Sequence, residues 1–140
     1  MNCKDMKKIL FTALAMLFSM GAAFAQQQQM SPEEKEKKMA EFIQKEIEKL
    51  ETTLKLEDWQ VFYTDSILNH DYRAMQEELD GLQEAKVSSM DLYTKANDKW
   101  AEKIYVAMQR VLNEEQWEKY NKGGAGRAKK ARDKRMAKNN

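Results

Sequence analysis

Apolar residues in this chain recur at steps of three and four along most of its length. Met39, Ile43, Ile47, Leu50 and Leu54 form one such stripe, the signature of a helix that buries one face. Ser31-Pro32-Glu33-Glu34 precedes it and supplies a serine cap, a proline at the first helical position and a glutamate at the third. A second helix is predicted from about Asp58 to Asp80, with Leu68, Tyr72, Met75 and Leu79 in line. Leu82 continues the stripe past Gly81, which marks a break or a kink. A third helix, from about Lys86 to Leu112, carries Tyr93, Ala96, Trp100, Ile104, Ala107 and Val111. A short fourth covers Glu114 to about Asn121. Between Pro32, the single proline, and Gly123 the one glycine is Gly81, which disfavours a strand-and-turn architecture. The expected fold is all-α: a small bundle or curved cradle of about four helices with a long first helix.

The first residues follow another pattern. Lys4, Lys7 and Lys8 precede an apolar run from Ile9 to Phe18, and Ala23-Phe24-Ala25 has the small-x-small form of a signal-peptidase site. The run is short against the roughly 20 residues a membrane span needs. Residues 1–25 are therefore read as a secretory signal cleaved after Ala25, and 26–30 as a Gln-rich linker. Cys3, the single cysteine, leaves with the signal, so the exported chain must be held by its core or by a second subunit instead of disulfides.

Charge then divides what is left. Residues 121–140 hold eight Lys/Arg against Asp133, a net of +7, and the signal holds three lysines against Asp5, a net of +2. The whole chain is +1, so residues 26–120 are left at −8. An acidic helical domain, 31–121, is thus expected to precede a basic flexible tail, 122–140, able to attract anionic surfaces.

Two short stretches share one grammar: "LEDWQV" at 56–61 and "LNEEQW" at 112–117. Asn113 and Gln116 suit a capping box, with Leu112 and Trp117 placed as a hydrophobic staple. Leu56, Glu57, Gln60 and Val61 fit the same scheme with glutamate as a poorer cap. The repeat thus marks two helix starts. In a small, exported, helical chain, leucine-x-x-x-glutamine twice at this separation resembles the LTxxQ-motif superfamily of Spy-like periplasmic proteins. The resemblance covers about residues 31–121. Its threonine is missing from both copies, replaced by Glu57 and Asn113.

The resemblance implies a homodimer and an ATP-independent periplasmic chaperone, or envelope-stress accessory, that binds non-native exported proteins. Client-binding candidates are Tyr72, Met75 and Leu79 of the second helix with Tyr93 and Trp100 of the third; Met and Tyr adapt to varied partners. A regulator of a membrane sensor kinase is the alternative, and a metal-responsive variant comes third. The residues themselves offer little chemistry. There is one histidine, His70, read as a solvated surface residue whose neighbour Asp71 points elsewhere, and no G-x-S-x-G or phosphate-binding loop. No catalytic residue, cofactor or metal site is assigned. The tail lacks aromatic residues for base stacking, so nucleic acid is not an expected partner.

Overall fold

A computed structural model describes residues 30–138; the signal segment and residues 26–29 of the linker lie outside the described residues. Among the described residues five α-helices follow one another: α1 Pro32–Leu54, α2 Asp58–Glu84, α3 Met90–Val111, α4 Glu114–Tyr120 and α5 Gly126–Lys138, with a kink in Asn121–Ala125 between the last two. The described residues are all-α. None of these helices is long and apolar enough to cross a membrane.

Local chemistry explains the boundaries. Ser31 Oγ accepts from the Glu34 amide at 3.2 Å, and Glu34 Oε2 accepts from the Ser31 amide at 3.1 Å. This closes the expected capping box. α1 ends where Lys55 takes φ 52°, and Leu56 N–H donates back to Glu51 C=O at 3.2 Å. α2 ends the same way, with Lys86 at φ 54° and Val87 N–H donating to Leu82 C=O at 3.0 Å. Both ends have the left-handed cap geometry that usually selects glycine; here lysine accepts it, at a cost of about 1 kcal/mol.

Two boundaries differ from those expected. α2 passes through Gly81 without a break, because the Ala85 amide donates to Gly81 C=O at 3.0 Å. The left-handed Lys86 also delays α3, which starts at Met90 after an N-cap at Ser89.

The core joins three helices. Ile43, Ile47 and Leu54 of α1 meet Leu68 of α2, Ile104 and Met108 of α3 and Leu112 beyond it. Each such side chain contributes roughly 2 kcal/mol by leaving water. Leu50, Val61, Ile67, Tyr72, Trp117 and Tyr120 pack around them. α2 and α3 lie against each other. Met108, absent from the predicted stripe, is fully buried, whereas Trp100 and Tyr93 are only partly so.

The basic tail is not a flexible end. Residues 126–138 form α5, which packs on α3. Periodicity missed it because its docking face carries no apolar stripe; Arg132 is its single buried residue.

Candidate functional site

The two motif copies open α2 and α4, and their glutamines converge. Gln60 and Gln116 are 2% and 7% exposed. Gln60 Nε2 donates to Gln116 Oε1 at 2.6 Å, and Gln116 Nε2 donates to Gln60 Oε1 at 3.0 Å. Each amide oxygen also accepts the backbone N–H of its own cap residue: Glu57 at 2.9 Å for Gln60, Asn113 at 3.1 Å for Gln116. Each amide nitrogen reaches the end of the helix that precedes the other copy. Gln60 Nε2 donates to Val111 C=O at 2.9 Å, and Gln116 Nε2 to Leu54 and Lys55 C=O at 3.3 and 3.4 Å.

The result is a near-symmetric clasp. The end of α1 is tied to the start of α4, and the end of α3 to the start of α2. Both amides use their donors and acceptors fully, so burial leaves neither with an unmet hydrogen bond. A carboxylate in either place would have to discard its negative charge or the donors. Asn113 Oδ1 accepts from the Gln116 amide at 2.9 Å, completing the second box. Glu57, the poorer cap, spends Oε2 on the Trp59 indole N–H at 2.7 Å. Leu112 is buried and Leu56 partly so, beneath the two turns.

The clasp fixes the first turns of α2, and these present three aromatic rings to solvent. Trp59, Phe62 and Tyr63 are 50%, 69% and 52% exposed. Their rings meet edge to face, Trp59–Tyr63 at 6.2 Å and Phe62–Tyr63 at 5.6 Å between centroids. Glu57, Asp58 and Asp65, all exposed, stand beside them. Residues 60, 64 and 68 of the same helix point inward, so 59, 62 and 63 occupy the opposite side at helical spacing. That spacing within "DWQVFY" is the signal the sequence carries, and it falls outside the inward stripe.

The five candidates named from sequence lie elsewhere and are all partly buried. Tyr72 meets Phe42 edge to face at 5.1 Å. Burial, then the nearby Glu46, pushes its hydroxyl above the usual tyrosine value. Met75 and Leu79 are half-buried further along α2. The Tyr93 hydroxyl donates to Val87 C=O at 2.9 Å. Trp100 Nε1 donates to Glu78 Oε2 at 2.7 Å, and Lys103 Nζ sits 3.9 Å from its ring centre. Hydrogen bonds from Lys99 first and Trp100 second hold the Glu78 carboxyl below its ordinary range. Tyr72, Met75 and Leu79 share α2, Trp100 ties α3 to α2 through Glu78 beside Leu79, and Tyr93 holds the α2–α3 connection through Val87.

A second aromatic group, Tyr105, Trp117 and Tyr120, closes the junction of α3 and α4, with Tyr105–Trp117 centroids 4.8 Å apart. Burial pushes the Tyr120 hydroxyl up to about 12. His70 has an exposed side chain, but its Nδ1 lies 2.8 Å from Asp71 Oδ1. The expectation that Asp71 points elsewhere is corrected: Asp71 is buried, and its carboxylate still lies within hydrogen-bond distance of the ring. Among the described residues no group of three or more His, Cys, Asp or Glu side chains is placed to hold a metal ion.

No protein-family model, curated protein or solved structure matches this chain. What it does is therefore argued from its own residues.

Proposed function

We propose that this protein is an ATP-independent chaperone of the periplasm, holding non-native exported polypeptides through an aromatic surface rimmed by acid. The observation that carries this reading is the cluster Trp59, Phe62 and Tyr63, each at least half exposed on the first turns of α2. Rings of this size bury about 150–250 Å² apiece. Half-exposed, the three together leave roughly 300 Å² in water, the scale of patches that mark binding surfaces on monomers.

The chemistry of the patch suits weak and varied partners. Aromatic rings grip apolar segments without requiring a defined sequence, and Glu57, Asp58 and Asp65 favour segments that also carry Lys or Arg. Release follows from low affinity or from folding of the client. The clasp beneath keeps the platform rigid, so little ordering is needed on binding. The LTxxQ resemblance and the signal-like first 25 residues agree with an exported chaperone.

The test is light scattering from a denaturing client, with the exported protein and with Trp59→Ala/Phe62→Ala/Tyr63→Ala. These side chains lie outside the core, so helicity and melting should be retained. Protection is expected to fall about tenfold in the variant. Full protection by the variant would remove the aromatic platform from the mechanism.

A further inference from the structure

α5 is attached to the rest of the protein differently from every other helix. It contributes no aliphatic side chain to the core. Its hold is ionic. Arg132 Nη2 and Nε donate to Glu102 Oε2 at 3.1 and 3.3 Å, and the guanidinium lies 5.6 Å over the Tyr105 ring. Arg135 forks onto Asp98 with two bonds of 2.7 Å. Lys129 Nζ stands 3.4 Å from Glu102. Asp98 and Glu102 are one helical turn apart on α3, and Lys129, Arg132 and Arg135 are spaced by three on α5, so one basic edge matches one acidic edge.

The connection to α5 is equally particular. From Glu114 to Lys138 the backbone is helical except at Gly124, with φ 123° and ψ −21°. That conformation belongs to glycine. A Cβ at Gly124 would meet nothing within 4 Å, so the backbone angle alone demands glycine there. Rotation about this one residue would align α4 and α5 as a single rod. The 13 residues of α5 would then project about 20 Å from the body.

We propose that α5 is an exchangeable arm whose second seat is the Asp98–Glu102 face of another copy of this chain, so that two copies dimerise by trading α5. A second copy is the fitting occupant because its arm repeats the Lys129, Arg132, Arg135 spacing that the seat already receives. Exchange neither gains nor loses an ion pair, and α5 supplies none of the core side chains. Gly124 therefore sets the balance: bent, the arm docks at home; straight, it must dock on a partner. This inference does not depend on the chaperone reading.

The test uses two full-length variants. Arg132→Glu/Arg135→Glu reverses the arm, and Asp98→Arg/Glu102→Arg reverses the seat. In either one alone, arm and seat carry like charges. In the mixture, each arm fits the other variant's seat. The tagged arm variant should retain the seat variant about tenfold more strongly than it retains its own untagged form. The preference should vanish in about 0.5 M salt. Equal retention of both, or of neither, would overturn the proposal. Gly124→Ala in the otherwise unchanged chain is the second arm of the test. It should raise the dimer fraction about tenfold at fixed concentration, because alanine resists φ 123° but accepts a helix. A monomer whose α5 amides stay protected from hydrogen exchange would overturn the proposal as well.

Discussion

The Gln60–Gln116 clasp and the seat of α5 are both polar junctions between helices, yet they hold in different ways. The clasp is buried and uncharged, and each amide group has its complement of partners. The seat is charged and only partly covered: Arg132 is buried, Asp98, Glu102 and Lys129 are partly buried, and Arg135 is exposed. In water an ion pair gains little, because each charge is already well solvated. In the core a neutral hydrogen bond matters chiefly through the penalty for its absence. The clasp should therefore behave as part of the core, and the seat as a reversible contact.

The largest expected effect comes from breaking the clasp. Gln116→Ala strips partners from Gln60, the Asn113 amide and the Leu54 carbonyl together. It should cost about 3 kcal/mol of global stability, measured by urea unfolding. Gln60→Ala should cost about as much, and the double variant clearly less than the sum, since the two side chains share one network. Additive losses would show that the amides act independently.

Breaking the seat should cost less and act locally. Arg132→Ala removes two bonds to Glu102 and the contact with Tyr105. It should weaken the docking of α5 by about 1–2 kcal/mol, seen as faster hydrogen exchange in residues 126–138 with the core unchanged. Slower exchange in α1 and α3 than in α5 would sharpen the contrast, and a global loss would erase it.

Thr64 provides the counterexample inside the core. It is fully buried, and its Oγ1 has no hydrogen-bond partner among the described residues. Thr64→Val should stabilise the protein by about 1 kcal/mol, since it removes a desolvated hydroxyl while keeping the shape.

The smallest effect concerns pH. The Arg135 guanidinium, through its hydrogen bonds first, holds the Asp98 carboxyl below the ordinary aspartate range. A lowered carboxylate stabilises the folded state fully above the unfolded value of about 3.9, and this is lost as pH falls through the lower folded value. α5 should stay equally docked from about pH 8 to about pH 5 and loosen only below about pH 4. Helicity of residues 126–138 followed by hydrogen exchange across that range would check it. Undocking already near pH 6 would assign the arm to another group.

Much of the helical plan is written in local order. The Ser31 box, the stripe ending at Leu54 and the caps at Glu57 and Asn113 are short-range patterns, so the starts of α1, α2 and α4 can be read from neighbours alone. Two helix ends cannot, because Lys55 and Lys86 occupy left-handed positions without the usual glycine. α5 was illegible for another reason: its partners Glu102 and Asp98 lie 30 and 37 residues away, and a helix held by charge shows no apolar period. Of the candidate site, Gln60 and Gln116 were found as cap residues. Trp59, Phe62 and Tyr63 were not found, because inward and outward aromatics look alike until a core defines the inside.

The sequence by itself determined that the chain is helical and where it bends twice in the same manner, since capping depends on residues three apart. Only the tertiary structure decided that the two bends meet, that their glutamines satisfy each other, and that the basic segment turns back at Gly124 onto α3. Those outcomes depend on pairings across 56 residues for the glutamines and about 30 for the arm, and no local rule reaches that far. Burial is the physical reason: it turns two ordinary cap residues into one indispensable hydrogen-bonded pair, whereas the charged edge of α5, only partly covered, can serve as a reversible arm.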